Sequence, residues 1–134
     1  MRAVIDTRFL ISSIESVDDD FRKWASRTLQ TLIREGSFGI VPSVVILEFY
    51  KHQMGKNGKQ AADARIGALL KLNLNVVNLD TSIAVEAARL RCKYTELPTV
   101  DAIIAATAIV TFSEFVLTDD KHLKQIGETK TRWA

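Results

Sequence analysis

One cysteine, two prolines, two histidines and no long apolar run: these scarcities narrow the chemistry of this 134-residue chain before any motif is read. The lone Cys92 excludes an internal disulfide and fits a reducing compartment. Its setting, Ala87-Ala-Arg-Leu-Arg-Cys92, reads as that of a buried structural thiol. His52 and His122 have no Cys or His partner at ligand spacing, which argues against a zinc site. No stretch approaches the roughly 18 apolar residues that a membrane span needs. Asp6 interrupts the apolar N-terminal stretch almost at once, so a secretory leader is not expected and the default compartment is the cytoplasm. There is no glycine-rich phosphate loop, and Ser12, Ser13 and Ser43 lack nucleophile-elbow surroundings. Nucleotide-cofactor and serine-hydrolase chemistry are set aside.

What is present is ordinary in bulk and uneven in detail. The length suits one domain over residues 1–134, and 47% hydrophobic with 25% charged residues suits a soluble one with its own core. The net charge is +2, yet Lys51, Lys56, Lys59, Arg65 and Lys71 against Asp63 give residues 51–71 a balance of +4. The rest of the chain is therefore acidic by two charges, and the basic segment is where an anionic partner would be met.

Short apolar runs alternate with helical patterns. Strands are expected over 2–6, 38–41, 74–79 and 115–118, with an edge strand in the tail 129–133. Helices are expected over 9–14, from Asp18–Asp20 to a stop at Gly36, from Pro42-Ser43 through Tyr50, over 60–72, from Asp80 through Leu90, over 100–112 and over 120–126. Gly55, Asn57 and Gly58 read as a break, Ser43 and Thr99 as helix caps, and Trp24 and Trp133 as packing or interface residues. The alternation predicts an α/β fold: three layers, α/β/α, around a mainly parallel sheet of four to five strands. Ligands of such sheets bind beyond the carboxyl ends of the strands, where the strand order switches.

Four acids fall in places where an unpaired charge is expensive. Asp6 ends the first strand and Asp120 follows the fourth. Glu48 interrupts Val44-Val-Ile-Leu-Glu-Phe-Tyr50, and Asp101 lies in the first turn of a strongly apolar helix. Desolvating a carboxylate costs several kcal/mol, on the order of the Born penalty after relaxation, unless it is paired or metal-bound. Carboxylates brought together also raise one another's pKa. A hard divalent cation, Mg²⁺ or Mn²⁺, resolves both problems. Taken singly, Asp6 and Asp120 could be helix caps, Asp101 a first-turn acid and Glu48 a partner for Lys51.

Read in order, these segments resemble the PIN-domain family along nearly the whole chain. The carriers are Val4-Ile-Asp-Thr-Arg-Phe-Leu-Ile11, Ser43-Val-Val-Ile-Leu-Glu48, Leu97-Pro-Thr-Val-Asp-Ala-Ile-Ile-Ala-Ala-Thr-Ala108 and Val116-Leu-Thr-Asp-Asp-Lys-His-Leu123. Arg8-Phe9 departs from the small residues often seen at that place. The resemblance implies a metal-dependent endoribonuclease acting on single-stranded RNA. Asp6, Asp101 and Asp120 would be metal ligands, Glu48 would orient the attacking water, and Thr7 and Thr118 would support the carboxylates. Its motif of Thr, any residue, Asp selects Asp120 over Asp119, which then reads as an ordinary exposed acid. Arg8, Lys51, Lys56 and Lys59 are candidate contacts to the RNA backbone. Within the family, the size of a bare domain favours the toxin of a toxin–antitoxin pair of the VapC type; the resemblance then implies a small antitoxin partner and a homodimeric assembly. Other readings are a housekeeping nuclease of ribosomal RNA processing and an idle RNA- or protein-binding module. A phosphotransfer receiver would need its acid after the third strand, where Asp80 is better suited to a cap.

Overall fold

A computed structural model describes all residues, 1–134. The chain alternates strands and helices as β1 (Arg2–Ile5), α1 (Thr7–Glu15), α2 (Asp19–Leu32), β2 (Phe38–Pro42), α3 (Ser43–Lys71), β3 (Asn75–Val77), α4 (Thr81–Lys93), α5 (Thr99–Val110), β4 (Phe115–Leu117), α6 (Lys121–Lys124) and β5 (Thr131–Arg132). The five strands form one sheet in the order β3-β2-β1-β4-β5, every pair parallel. Helices flank it, so the expected three-layer α/β/α architecture is what the chain adopts.

The central strands carry the apolar content that burial on both faces requires. Ala3, Val4 and Ile5 of β1 and Val116 and Leu117 of β4 are fully enclosed. They join α5 in a continuous hydrophobic cluster whose α5 members are Ala102, Ile104, Ala105, Ala106 and Ala108. The small alanines let α5 lie close against the sheet. Phe9, Phe21, Trp24 and Trp133 form an edge-on and tilted aromatic group, with Phe9–Trp24 and Trp24–Trp133 centroids each 5.9 Å apart. That group ties the tail after β5 onto α1 and α2, so both tryptophans serve packing.

Several local expectations are corrected. Gly55 is helical, and the break is a kink at Gly58 alone, whose φ of 86° suits a residue without Cβ. Ser43 and Thr99 do not cap their helices. The preceding Pro42 and Pro98 take the cap positions with no side-chain hydrogen bond, and the Ser43 hydroxyl accepts from the Leu79 amide instead. The helix expected to reach Phe112 ends at Val110, and Phe112 itself takes φ 53°. Cys92 is exposed, not buried. The buried stripe of α4 is Ile83, Ala87 and Leu90, and Cys92 falls off it.

Topology fixes where the site must be. The chain leaves β1 towards β2 and β3, then returns to build β4 and β5 on the other side. The switch in strand order therefore lies between β1 and β4, where Ile5 pairs with Leu117 and the next residues of each strand are Asp6 and Thr118.

Candidate active site

Asp6 leaves the sheet and caps α1 in the same step. Its backbone is extended (φ −81°, ψ 155°), its amide donates to the Leu117 carbonyl at 3.4 Å, and its Oδ1 accepts from the Thr7 amide at 2.7 Å. Oδ2 accepts from the Thr118 hydroxyl at 2.6 Å. The residue is only 4% exposed. Burial is the main reason its pKa rises to about 6; the bonds from Thr118 and Thr7 oppose the rise, and the charges of Asp120 and Glu48 add to it.

Thr118, completely enclosed, joins two acids. Its Oγ1 donates to Asp6 and accepts from the Asp120 amide at 3.0 Å. Asp120 in turn caps α6 through Oδ1 and the His122 amide at 2.8 Å. Asp101, in the first turn of α5, is half-buried. Its pKa also rises to about 6, first through burial and then through the charges of Asp120 and Asp6, with His122 working the other way and Glu48 adding to the rise. Glu48, in α3, does not reach Lys51. Its Oε1 accepts from the Thr7 hydroxyl at 2.7 Å. Thr7 thus touches two of the acids, Asp6 through its amide and Glu48 through its hydroxyl.

The fold therefore gathers into one electrostatic site four acids spread over 115 positions of sequence. Cap roles and site positions coincide for Asp6 and Asp120, so the alternatives left open by sequence were compatible after all. The acids do not close into a finished cage: no three His, Cys, Asp or Glu side chains stand as a preformed metal-binding group. The donors are nevertheless all oxygen, and two of them are held near pKa 6, Asp6 by enclosure and the charges of Asp120 and Glu48, Asp101 by enclosure and chiefly the charges of Asp120 and Asp6. This is a donor set that a hard divalent cation fits.

The neighbours divide. Asp119 is engaged by Arg8, Nε to Oδ1 at 2.5 Å, which holds the Asp119 carboxyl below the usual range. Lys51 and Lys56 line a groove of about 730 Å³ that opens from Thr7 and Glu48 and also takes in Ile11, Leu47, His52, Gly55 and Val100. Lys59 is not in it: its ammonium pairs with Asp63 at 2.6 Å, beside the Tyr50 hydroxyl on the same carboxylate. Sequence reasoning missed Glu15, the last residue of α1, whose Oε1 meets both His52 and Lys56. The available signal was an acid at the negative end of a helix, where the dipole disfavours it.

A parallel α/β fold with acids converging at its strand-order switch is a recognisable class, and the comparisons narrow it. The PIN domain model matches residues 3–129, and the chain belongs to the PIN domain family. No curated protein sequence matches it. Solved structures do. A chain of VapBC2 from Rickettsia felis bound to a DNA fragment from its promoter is 16% identical with TM-score 0.82, covering 100% of both chains. A toxin–antitoxin complex from Klebsiella pneumoniae is 23% identical with TM-score 0.70, over 95% of this chain and 94% of that one. VapC20 of Mycobacterium tuberculosis, a sarcin–ricin-loop-cleaving toxin, is 17% identical with TM-score 0.72, over 93% and 95%. At these identities the likeness is one of fold.

Proposed function

We propose that this chain is a divalent-metal-dependent endoribonuclease of single-stranded RNA, the toxin of a toxin–antitoxin pair. The observation that carries the reading is the convergence of Asp6, Glu48, Asp101 and Asp120, with Asp6 and Asp101 raised to about pKa 6 by burial and mutual repulsion. Acids so placed are functional-site candidates, because capping accounts for Asp6 and Asp120 singly and nothing in the fold calls for all four to converge. The solved toxin–antitoxin complexes of the same fold support a small antitoxin as partner.

Asp6, Asp101 and Asp120 would hold Mg²⁺ or Mn²⁺, Asp120 directly or through water. Such a cation supplies positive charge to the scissile phosphate and acidifies water at the site. Thr118 fixes the Asp6 carboxylate and the backbone of the turn that carries Asp120, and so would orient the two acids as ligands. Thr7 holds the Glu48 carboxylate by one oxygen and leaves the other to orient the attacking water. The enclosing residues of β1, β4 and α5 keep solvent from Asp6.

The test is cleavage of single-stranded RNA with Mg²⁺ or Mn²⁺, by wild type, Asp6→Asn and Asp101→Asn. Wild type should cut only with metal, and both variants should be inactive. Equal cutting by all three, with or without chelator, would overturn the site. Expression in a host should arrest growth, and a small open reading frame beside the gene should relieve the arrest; growth unaffected by an active enzyme would favour a housekeeping nuclease.

A further inference from the structure

The groove beside the acids contains an arrangement that the four carboxylates do not use. It opens from Thr7 and Glu48 and runs between α1 and α3, with Lys51, His52 and Lys56 on one wall and Ile11, Leu47 and Val100 as apolar lining. Its volume, about 730 Å³, lies in the range of small-ligand sites. Lys51 follows Glu48 by three residues, hence on the same helix face. It has no ion-pair partner. His52 and Lys56 share a carboxylate: Glu15 Oε1 lies 3.0 Å from His52 Nε2 and 3.2 Å from Lys56 Nζ.

Glu15 is poorly placed for its own helix. It is the final residue of α1, where an acid faces the negative end of the dipole, and α1 has no basic residue in its last turn. What holds it is its pair of contacts with α3, and the bonds from His52 and Lys56 keep its carboxyl below the usual range. Glu15 borders the adjoining cavity, which shares Ile11 with the groove, and its one carboxylate oxygen meets an ammonium and an imidazole of the groove lining as a phosphate oxygen would.

We infer that this groove is the subsite for a backbone phosphate flanking the cut in single-stranded RNA, contacted by Lys51 and, once Glu15 is displaced, by His52 and Lys56. Glu15 is thus an internal competitor that sets how tightly RNA is held. Leu47, 63% exposed on the wall, offers an apolar surface to the adjoining base. This rests on the nuclease reading above and adds to it a latch, which an ion pair serving only stability would not be.

The experiment measures binding of a short labelled single-stranded RNA across a salt series, in the full chain carrying Asp101→Asn so that the RNA stays whole. Lys51→Ala and Lys56→Ala should each weaken binding and lower the salt slope by about 0.7, one phosphate contact of a single strand. Glu15→Gln should tighten binding by about two- to fivefold, the release of one exposed ion pair. Lys59→Ala, whose lysine already has Asp63, should leave both quantities unchanged. Melting curves of each variant separate binding from folding. A Glu15→Gln protein that melts earlier and binds no better overturns the latch in favour of a tie between α1 and α3. Wild-type cleavage with unchanged affinity and slope in all the lysine variants overturns the subsite, leaves the nuclease standing and hands these cations to a protein partner's acids. RNA held through these residues but never cut by wild type overturns the nuclease and leaves the subsite.

Discussion

Arg8 and Asp119, 111 positions apart, meet through Nε and Oδ1 at 2.5 Å, and this pair gives the adjacent acids Asp119 and Asp120 different work. Asp119 spends its charge on the guanidinium; Asp120 turns to Asp6 and Asp101. Asp120→Asn should therefore lower the rate of metal-dependent RNA cleavage by at least about 100-fold, the upper end for lost metal-site support. Asp119→Asn should keep the rate within about tenfold and shift stability by less than about 1 kcal/mol, since the pair is solvent-exposed. Comparable loss in both variants would remove the distinction.

Thr118 is the one side chain that bonds directly to Asp6 and to the Asp120 backbone. Thr118→Val keeps the shape and deletes the hydroxyl, leaving a buried carboxylate short of a donor and an amide short of an acceptor. The expected cost is about 1–3 kcal/mol in stability, read from urea unfolding. Metal affinity should fall about 10- to 100-fold, read by Mn²⁺ titration. Thr118→Ser, which retains the hydroxyl, should recover most of the metal affinity. Equal weakness in Val and Ser would mean that packing, not the hydroxyl, is what matters there.

Why the acids were legible and Glu15 was not comes down to contrast. Asp6, Glu48 and Asp101 interrupt apolar runs, so their cost is visible in one dimension. Glu15 follows Ile14 and precedes Ser16 at an ordinary helix end, and its partners His52 and Lys56 lie 37 and 41 positions away. The alternation of strands and helices likewise carried the layer architecture, because each apolar run needed cover. The caps were misread for a local reason: Ser43 and Thr99 each follow a proline, which takes the cap position and leaves the hydroxyl inside the helix. Cys92 was judged by its neighbours' composition, whereas helical phase decides its exposure. Lys51, Lys56 and Lys59 look equivalent as a basic run; only the kinked helix separates two that line a groove from one that pairs with Asp63.

Gly39 tests the packing beneath the site. A Cβ there would lie 2.5 Å from Leu74 Cδ2 and 3.2 Å from Leu32 Cβ. The Leu74 methyl can swing away, but Leu32 is fully buried and anchored in α2. Gly39→Ala should destabilise by about 1–3 kcal/mol, the usual cost of overpacking. A lowered unfolding midpoint at constant m-value checks it; an unchanged midpoint would mean that α2 shifts freely over β2.

The same burial that marks Asp6 sets a pH dependence in the chelated protein. Its folded pKa of about 6 stands above the ordinary carboxylate value of 3.8. Between those values the folded state keeps a proton that the unfolded state has released, so the group favours folding at low pH and loses that advantage as pH rises from about 4 through 6. For enclosed Asp6 a shift of this size corresponds to at most about 3 kcal/mol; half-buried Asp101 shifts in the same direction with a smaller effect because solvent screens it. Acids with lowered pKa, Asp119 and Glu15 among them, act oppositely, but only near and below pH 4. In chelator the melting temperature should therefore fall between pH 5 and pH 8, and Asp6→Asn should flatten the profile and melt higher at pH 8 while being inactive. Mn²⁺ should raise wild type at pH 8 and leave Asp6→Asn nearly unchanged. A chelated wild type that is more stable at pH 8 than at pH 5 would mean that Asp6 is ionised without strain, and the electrostatic case for a cation at this site would fail with it.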